Sequence, residues 1–176
     1  MKATLITGAA SGLGREFSYL FAKDGNNLLL IDIHKEGLEK TKQEIQKINH
    51  SIHIDLLEAD LSDLTSYKKI YAYTKENNYF INYLVNCAGF GDCCDIDKMN
   101  IDKQLTMTNV DCNALLYFTK VFLDDMLVRN EGHIINISSI AGFMPGPYMC
   151  TYHVKVMSYY WVRLFLMRLE KQMSNC

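Results

Sequence analysis

The sequence predicts an α/β protein built on a doubly wound parallel sheet with helices on both of its faces. Short apolar runs that suit buried strands alternate along the chain with amphipathic stretches that suit helices. The chain also opens with a glycine-rich turn, Thr7 to Gly14, between the first apolar run and the first helical stretch. With 176 residues and no repeats, low-complexity tracts or linkers, it suits a single domain spanning 1–176.

Strands and helices are predicted in alternation. Strands are expected at 3–6, 27–32, 51–57, 80–85 and 132–137, because each is a short and mostly apolar run. Helices are expected directly after the glycine turn, at 36–48, from an N-cap at Ser62 through Tyr73, and as one long helix at about 101–129.

Charge and hydropathy exclude two classes of partner. The net charge of −2 and the isoelectric point near 6.2 do not provide the basic surface that nucleic acid needs. No apolar run approaches the roughly 20 residues that span a bilayer, and the first strand follows the start too closely for a signal peptide. We therefore expect a cytoplasmic protein whose partners include neither nucleic acid nor a membrane.

The cysteines raise the question of a metal site or of disulfides. Stable disulfides are rare in a cytoplasmic chain, and the spacings contain no C-x-x-C pair of the kind that holds zinc. The sequence therefore predicts no metal, and thiols that are buried or incidental. The cysteines are Cys87, Cys93, Cys94, Cys112, Cys150 and Cys176.

The strand, glycine turn and helix N-terminus together favour an anion site. Unpaired backbone N–H groups and the helix dipole face the space before the helix, where a phosphate suits them. Gly8 would permit the tight turn, Gly12 would let a pyrophosphate approach the backbone, and Gly14 would allow close contact between helix and strand. Alone, the pattern also fits an ordinary strand–helix turn.

Asp32, at the end of the second predicted strand, strengthens the nucleotide interpretation. A dinucleotide-binding unit places a carboxylate about 20 residues after its glycines, where it accepts hydrogen bonds from the ribose hydroxyls. Its charge also repels a 2′-phosphate, which favours NAD and leaves NADP as the alternative cofactor. The competing interpretation is a loop aspartate that caps the next helix.

Six motifs in this order resemble the classical short-chain dehydrogenase/reductase family over residues 1 to about 153. They are the family's glycine motif, cofactor-discriminating acid, adenine-contacting aspartate, N-[AN]-A-G segment, helix asparagine and strand-ending serine. In this chain they correspond to Thr7 to Gly14, Asp32, Asp60, Asn86-Cys87-Ala88-Gly89, Asn109 and Ser139. The resemblance implies a Rossmann-like sheet of strand order 3-2-1-4-5, here missing the last strands.

The resemblance also implies an NAD- or NADP-dependent oxidoreductase that interconverts a hydroxyl and a carbonyl on a small alcohol or ketone. The residues that would line the dinucleotide site are Gly8, Ser11, Gly12, Leu13, Gly14, Asp32, Asp60, Leu61, Asn86, Ala88 and Gly89.

The family resemblance also implies a set of catalytic residues. Tyr152, at the family's usual interval after Ser139, would be the acid/base, because a nearby cation lowers the pKa of a tyrosine from its ordinary value near 10. Ser139 would orient the substrate oxygen, and Asn109 would keep a water in the proton path. Singly, each has a plainer interpretation: Ser138 and Ser139 as strand ends, Tyr152 as a core residue, and Asn109 as a surface amide.

The chain departs from the family at its lysine. The family motif is Y-x-x-x-K, whereas this chain has Lys155 three residues after Tyr152 and Val156 at the next position. One position along a helix is a rotation of about 100°, so Lys155 would replace the missing lysine only in part.

The chain also ends before the two strands, helix and substrate lid that complete family members have. One hypothesis accounts for both departures: a shift of reading frame just after His153, which would put 154–176 out of frame. The in-frame alternative is an amphipathic helix with Val162, Leu166 and Leu169 on its apolar face.

The sequence leaves two functions open. The first is a C-terminally truncated short-chain oxidoreductase that forms a homo-oligomer if intact. The alternative is a dinucleotide-binding pseudo-enzyme or fragment, which would pair with a complete homologue through the long helix and the helix that carries Tyr152.

Overall fold

The computed structural model describes residues 1–92, 95, 97–139 and 156. Its strands are β1 (Lys2–Thr7), β2 (Leu28–Asp32), β3 (Ile54–Glu58), β4 (Phe80–Asn86) and β5 (His133–Asn136). They pair in parallel in the order β3-β2-β1-β4-β5. The predicted fold class and strand order are confirmed.

The helices connect successive strands, as parallel pairing requires. They are α1 (Gly12–Lys23), α2 (Lys35–Ile48), α3 (Leu64–Glu76), α4 (Ile101–Thr108) and α5 (Ala114–Arg129). A π-helical segment, Asn109–Asn113, joins α4 to α5. The single long helix that was predicted is therefore interrupted by one wider turn. No helix among the described residues is long and apolar enough to span a bilayer.

Each face of the sheet has its own apolar core. Alternate residues of β2 point to opposite faces, which explains why its sequence is a continuous apolar run. Leu29 belongs to the core beneath α3 and α5, together with Phe118 and Phe122. Leu30 belongs to the core beneath α1 and α2, together with Leu38. Full burial of each such side chain contributes about 1.5–3 kcal/mol to folding.

The third strand begins later than predicted, at Ile54 rather than at 51. The side-chain oxygen of Asn49 accepts hydrogen bonds from the backbone N–H of Ser51 (3.0 Å) and from its hydroxyl (2.7 Å). The N–H of His53 donates to Asn27 Oδ1 at 2.9 Å. These side-chain bonds take the backbone donors that a strand would have placed in the ladder.

The third helix is capped by Asp63 rather than by Ser62 as predicted. The Asp63 carboxylate accepts hydrogen bonds from the backbone N–H of Thr65 (2.9 Å) and from its hydroxyl (2.7 Å). The hydrogen bonds from Thr65 hold the pKa of Asp63 below its ordinary value. An acidic N-cap also interacts favourably with the helix dipole, which a serine does less well.

Asp55 links the edge strand β3 by hydrogen bonds to α3 and to the residue before β4. Its carboxylate accepts hydrogen bonds from the hydroxyls of Tyr79 (2.5 Å) and Tyr73 (3.1 Å) and pairs with His53 Nε2 (3.0 Å). Burial acts to raise the pKa of Asp55, but the bond from Tyr79, the charge of His53 and the bond from Tyr73 outweigh it. The pKa of Asp55 is therefore lowered.

Asp55→Asn is expected to lower the free energy of unfolding at pH 7 by about 1–3 kcal/mol, because two partly buried hydroxyls lose a charged acceptor. A lowered folded-state pKa contributes stability above the unfolded pKa near 3.9 and loses it as the pH falls through the folded value. The variant should therefore lose less stability between pH 5 and 3 than the parent chain. Urea unfolding across this range measures both effects.

Glu58→Gln, an exposed change on the same strand, is the matched control for Asp55→Asn. It should unfold at the urea concentration of the parent chain. Equal acid sensitivity in Asp55→Asn and the parent would contradict the assignment of this cluster.

Candidate functional site

A cavity of about 630 Å³ opens at the edge of the sheet where the strands end. Residues just after all five strands line it, among them Gly8 after β1, Ile33 after β2 and Ile137 after β5. The strand order reverses between β1 and β4, and such reversal points are where open α/β sheets bind ligands. The cavity is therefore the candidate functional site.

The structure brings together ten of the eleven residues that the sequence predicted for a dinucleotide site. The ten that line the cavity are Gly8, Ser11, Gly12, Leu13, Gly14, Asp32, Asp60, Leu61, Ala88 and Gly89.

Glycine is required at two points of the turn. Gly8 has φ +72°, and a Cβ there would lie 2.9 Å from the backbone of Ala88. A Cβ on Gly14 would lie 2.1 Å from the carbonyl oxygen of Gly8, which brings the first turn of α1 against the end of β1. Gly12 has φ +51° and no atom within 4 Å of its Cβ position, so the backbone there faces open space.

Thr7 joins the glycine turn to the segment after β4. Its side-chain oxygen accepts hydrogen bonds from the backbone N–H groups of Cys87 and Ala88, both at 3.1 Å. The side chain is buried, with 2% of its surface exposed. The sequence motif includes Thr7 but does not predict this role. The signal in the sequence is a hydroxyl at the end of a buried strand.

The N-terminus of α1 suits an anion. Its N-cap, Ser11, makes no side-chain capping bond, and the first turn carries no acidic residue. Gly12, Leu13 and Gly14, the first residues of the helix, all line the cavity. Their N–H groups have no partner within the helix, and the helix dipole adds partial positive charge.

Asp32 lies at the cavity in a fixed orientation. One carboxylate oxygen accepts from Ala10 N and the other from His34 N, both at 3.0 Å. The second bond closes a local turn just before α2, whose N-cap is His34 rather than Asp32 and makes no side-chain capping bond. Ile33 and His34, which sequence analysis did not single out, extend this side of the cavity.

Asp60, in the loop after β3, lines the same cavity as Asp32. Its carboxylate accepts from Ser62 N at 2.8 Å, which shapes the loop that places Leu61 and Ser62 at the cavity. Among the described residues that line the cavity, the charged side chains are Asp32 and Asp60, with His34 as the one imidazole. In this part of the cavity the groups suited to an anion are therefore backbone N–H groups.

Asn86 is the exception among the predicted cofactor residues, because it does not line the cavity. Its side chain is 4% exposed and lies between the sheet and α5. Its amide donates to Asn136 Oδ1 at 2.7 Å and to Thr119 Oγ1 at 3.2 Å. The residue holds β4 and β5 together beneath the site.

Ser139 lies at the other end of the cavity, just beyond β5 and next to Ser138. The N–H of Ile137 donates to Asn86 O at 2.9 Å, so the strand pairing continues up to this point. Phe90, Thr106 and Val110 line the same cavity, and sequence analysis singled out none of the three. A serine hydroxyl in a cavity that apolar side chains such as Phe90 and Val110 also line suits the orientation of a single polar group on a substrate.

Asn109 begins the π segment and does not itself line the cavity. Its side-chain nitrogen donates to Ser62 O at 3.0 Å, and its side-chain oxygen accepts from Asn113 Nδ2 at 2.9 Å. Its carbonyl accepts from the Tyr67 hydroxyl at 2.6 Å. The geometry gives Asn109 a structural role, and its predicted role as the holder of a water stays a prediction.

Tyr152 and Lys155 lie outside the described residues, as does the rest of 154–176 apart from Val156. Val156 is helical and partly buried. In the described ranges, no three side chains of His, Cys, Asp or Glu come together as metal ligands.

A family model, short chain dehydrogenase, matches residues 2–154. Estradiol 17-beta-dehydrogenase 11 of Rattus norvegicus is 34% identical over 153 residues, which are 84% of this chain and 49% of that protein. The chain thus spans about half the length of the curated relatives it matches.

Two solved structures share the fold. The bulky-bulky ketone specific alcohol dehydrogenase from Comamonas testosteroni superposes with a TM-score of 0.89 at 22% identity, over 97% of this chain and 68% of that one. A short-chain dehydrogenase from Sphingobium yanoikuyae in complex with NADPH gives 0.88 at 23% identity, over 97% and 67%. Because the family model matches well over half of its residues, the chain belongs to the short chain dehydrogenase family.

Proposed function

We propose that the cavity binds a nicotinamide adenine dinucleotide, and that the protein interconverts a hydroxyl and a carbonyl on a small molecule by hydride transfer. One observation carries the proposal. The glycine turn, the Asp32 carboxylate and the Ser139 hydroxyl all line a single cavity at the point where the strand order reverses.

The residues present fit such a cofactor. Open space at Gly12 and the free N–H groups of α1 would receive the pyrophosphate. Asp32 would accept hydrogen bonds from the adenine ribose, and the Asp60–Ser62 loop would border the adenine. Ala88 and Gly89 would lie beside the middle of the dinucleotide. When bound, the nicotinamide ring supplies or accepts the hydride.

The chain's own side chains would handle the oxygen of the substrate. Ser139 would donate a hydrogen bond to that oxygen and orient it, while Tyr152, as the family resemblance implies, would give or take its proton. Lys155 would lie on the same helix face as Tyr152, displaced by one position from the family's lysine. The apolar side chains of Phe90 and Val110 favour a substrate with a hydrophobic body.

NAD is the proposed cofactor, and Asp32 carries that preference. Its carboxylate is held by two backbone N–H groups, so it stays directed at the site and opposes a 2′-phosphate of like charge. Asp32→Asn is expected to reduce the preference for NADH over NADPH by about tenfold or more, since about 1.4 kcal/mol of repulsion is removed. Fluorescence titration with each cofactor measures the ratio.

Glu36→Gln, in the exposed first turn of α2, is the control for Asp32→Asn. It removes a nearby charge that does not line the cavity and should leave the ratio unchanged. An unaltered ratio in Asp32→Asn would exclude Asp32 as the residue that discriminates.

A second candidate function is dinucleotide binding without turnover. The observation that favours it is Val156 at the position where the family has its lysine. NADH titration followed by assay with a panel of alcohols and ketones, including steroids, separates the two. Turnover supports the oxidoreductase, binding alone supports the pseudo-enzyme, and absence of binding overturns both.

The expected cytoplasmic location and homo-oligomeric state stay proposals. Cell fractionation tests the first, and light scattering on the purified protein tests the second.

A further inference from the structure

Tyr67 connects two sides of the cavity that are distant in sequence. Its hydroxyl lies 2.9 Å from the carbonyl oxygen of Leu61 and 2.6 Å from that of Asn109. A second bond runs beside it, from the side-chain nitrogen of Asn109 to Ser62 O at 3.0 Å. The loop that follows β3 and the π segment are therefore joined directly, through side chains that do not line the cavity.

The hydroxyl is held in place by the packing of its ring. Tyr67 is 3% exposed, and its ring packs against Tyr117 and Phe118 of α5 with centroid separations of 5.6 and 5.7 Å. Burial, with the charges of Asp60 and Asp63, raises the pKa of Tyr67 to about 12. The group therefore stays a donor at neutral pH. Because the hydroxyl carries one hydrogen, the two carbonyl oxygens share it, and Asn109 O makes the shorter contact.

The contact between Tyr67 and Asn109 O matters because Asn109 begins the π segment. Ala114 N donates to Asn109 O across the wider turn, so this carbonyl accepts from both Ala114 and Tyr67. π turns are rare because α-helical pairing is more favourable, and an outside donor helps to hold one. Thr106 before the segment and Val110 within it both line the cavity. If the π turn were replaced by ordinary α-helical pairing, Thr106 and Val110 would rotate relative to each other by about 100°.

We propose that Tyr67 is a positioning residue, whose hydroxyl fixes the Asp60–Ser62 loop and the π segment relative to each other. Nucleotide bound against the loop then also orders the π segment, and with it the end of the cavity where Ser139 lies. The effect of nucleotide on the π segment rests on the proposed function. The link that Tyr67 makes between the Asp60–Ser62 loop and the π segment exists in the chain without ligand.

Hydrogen exchange on Tyr67→Phe tests the proposal, because the ring and its packing are kept and only the hydroxyl is lost. Without nucleotide, amides at 61–63 and 110–114 should exchange about three- to tenfold faster, the effect of one hydrogen bond, while those of β1 stay as in the parent. NADH should slow exchange at 110–114 in the parent and not in the variant. In turnover assays, kcat should fall more than the KM for the nucleotide rises.

Tyr71→Phe is the matched control, since that hydroxyl donates to Asp125 at 3.2 Å and does not line the cavity. It should leave exchange at both segments unchanged. Asn109→Ala, which removes the parallel bond to Ser62, should reproduce the selective increase and replaces Tyr67→Phe if that variant fails to fold.

Two results would overturn the proposal: unchanged exchange at both segments in Tyr67→Phe, or an equal increase throughout the chain, which indicates a general loss of packing. If the parent does not bind NADH, the proposed function fails by that measurement. The comparison of Tyr67→Phe with Tyr71→Phe in the absence of nucleotide then still decides whether Tyr67 holds the two segments.

Discussion

Gly14→Ala should destabilise the fold by about 3 kcal/mol and abolish nucleotide binding, because its Cβ would lie 2.1 Å from the carbonyl oxygen of Gly8. That atom belongs to the backbone, which does not move aside as a flexible side chain would. The first turn of α1 must therefore shift away from the end of β1, and the N–H groups that face the cavity shift with it. Urea unfolding and NADH titration measure the two effects.

Substitutions at two other glycines distinguish the effect of a steric clash from the effect of backbone strain. Gly12 and Gly25 have φ +51° and +80° and no atom within 4 Å of their Cβ positions. Alanine at either site should cost about 1–2 kcal/mol from the left-handed conformation alone. Gly12→Ala should also weaken NADH binding, since its methyl group enters the cavity, whereas Gly25→Ala should not. Equal stability of Gly14→Ala and the parent would contradict the close contact.

Ser139→Ala is expected to lower kcat at least about a hundredfold while changing NADH affinity less than about twofold. Loss of one hydrogen-bond donor aimed at a reacting oxygen has an effect of this size in other enzymes. The hydroxyl lies at the end of the cavity beyond β5, away from the glycine turn, so the nucleotide should be little affected. Single-turnover kinetics with saturating cofactor provide the measurement.

Ser138→Ala is the comparison for Ser139→Ala, because the two residues are adjacent and both line the cavity. A larger loss of turnover from Ser138→Ala would move the catalytic assignment back by one residue. Equal and small losses from both would exclude a serine as the orienting group.

The strands and their order in the sheet could be predicted from the sequence, because a parallel sheet requires the same apolar runs that the local pattern shows. A strand buried on both faces, such as β2, requires a continuous apolar run, and the helices between strands account for the spacing of these runs. The cavity followed from the same logic, since ten predicted residues all stand at strand ends or at the start of α1.

The boundaries that were wrong depend on side-chain bonds between neighbouring segments. The late start of β3 reflects the bonds that Asn49 and Asn27 make to 51–53, and the cap of α3 depends on which of two adjacent polar residues reaches Thr65. Hydrophobic periodicity contains no information on either choice.

Two features of the site depend on contacts distant in sequence. The π segment is held in part by Tyr67, and the Asn86 amide faces Asn136 and Thr119 rather than the cavity. A motif match places Asn86 near the site but does not say to which side of the sheet its side chain turns.

The position of β1 in the sheet has a consequence for synthesis on the ribosome. β1 lies at the centre and pairs with β4 from Lys2↔Phe80 to Thr7↔Asn86, with a one-residue shift of register between Ala3 and Thr4. The amino group of Met1 donates to Asn78 O, 77 positions away. β1 therefore leaves the exit tunnel long before β4 is made, with one of its edges open. Because non-local pairing is slow and an open apolar edge invites association, the emerging chain is exposed to aggregation and to chaperones over this interval.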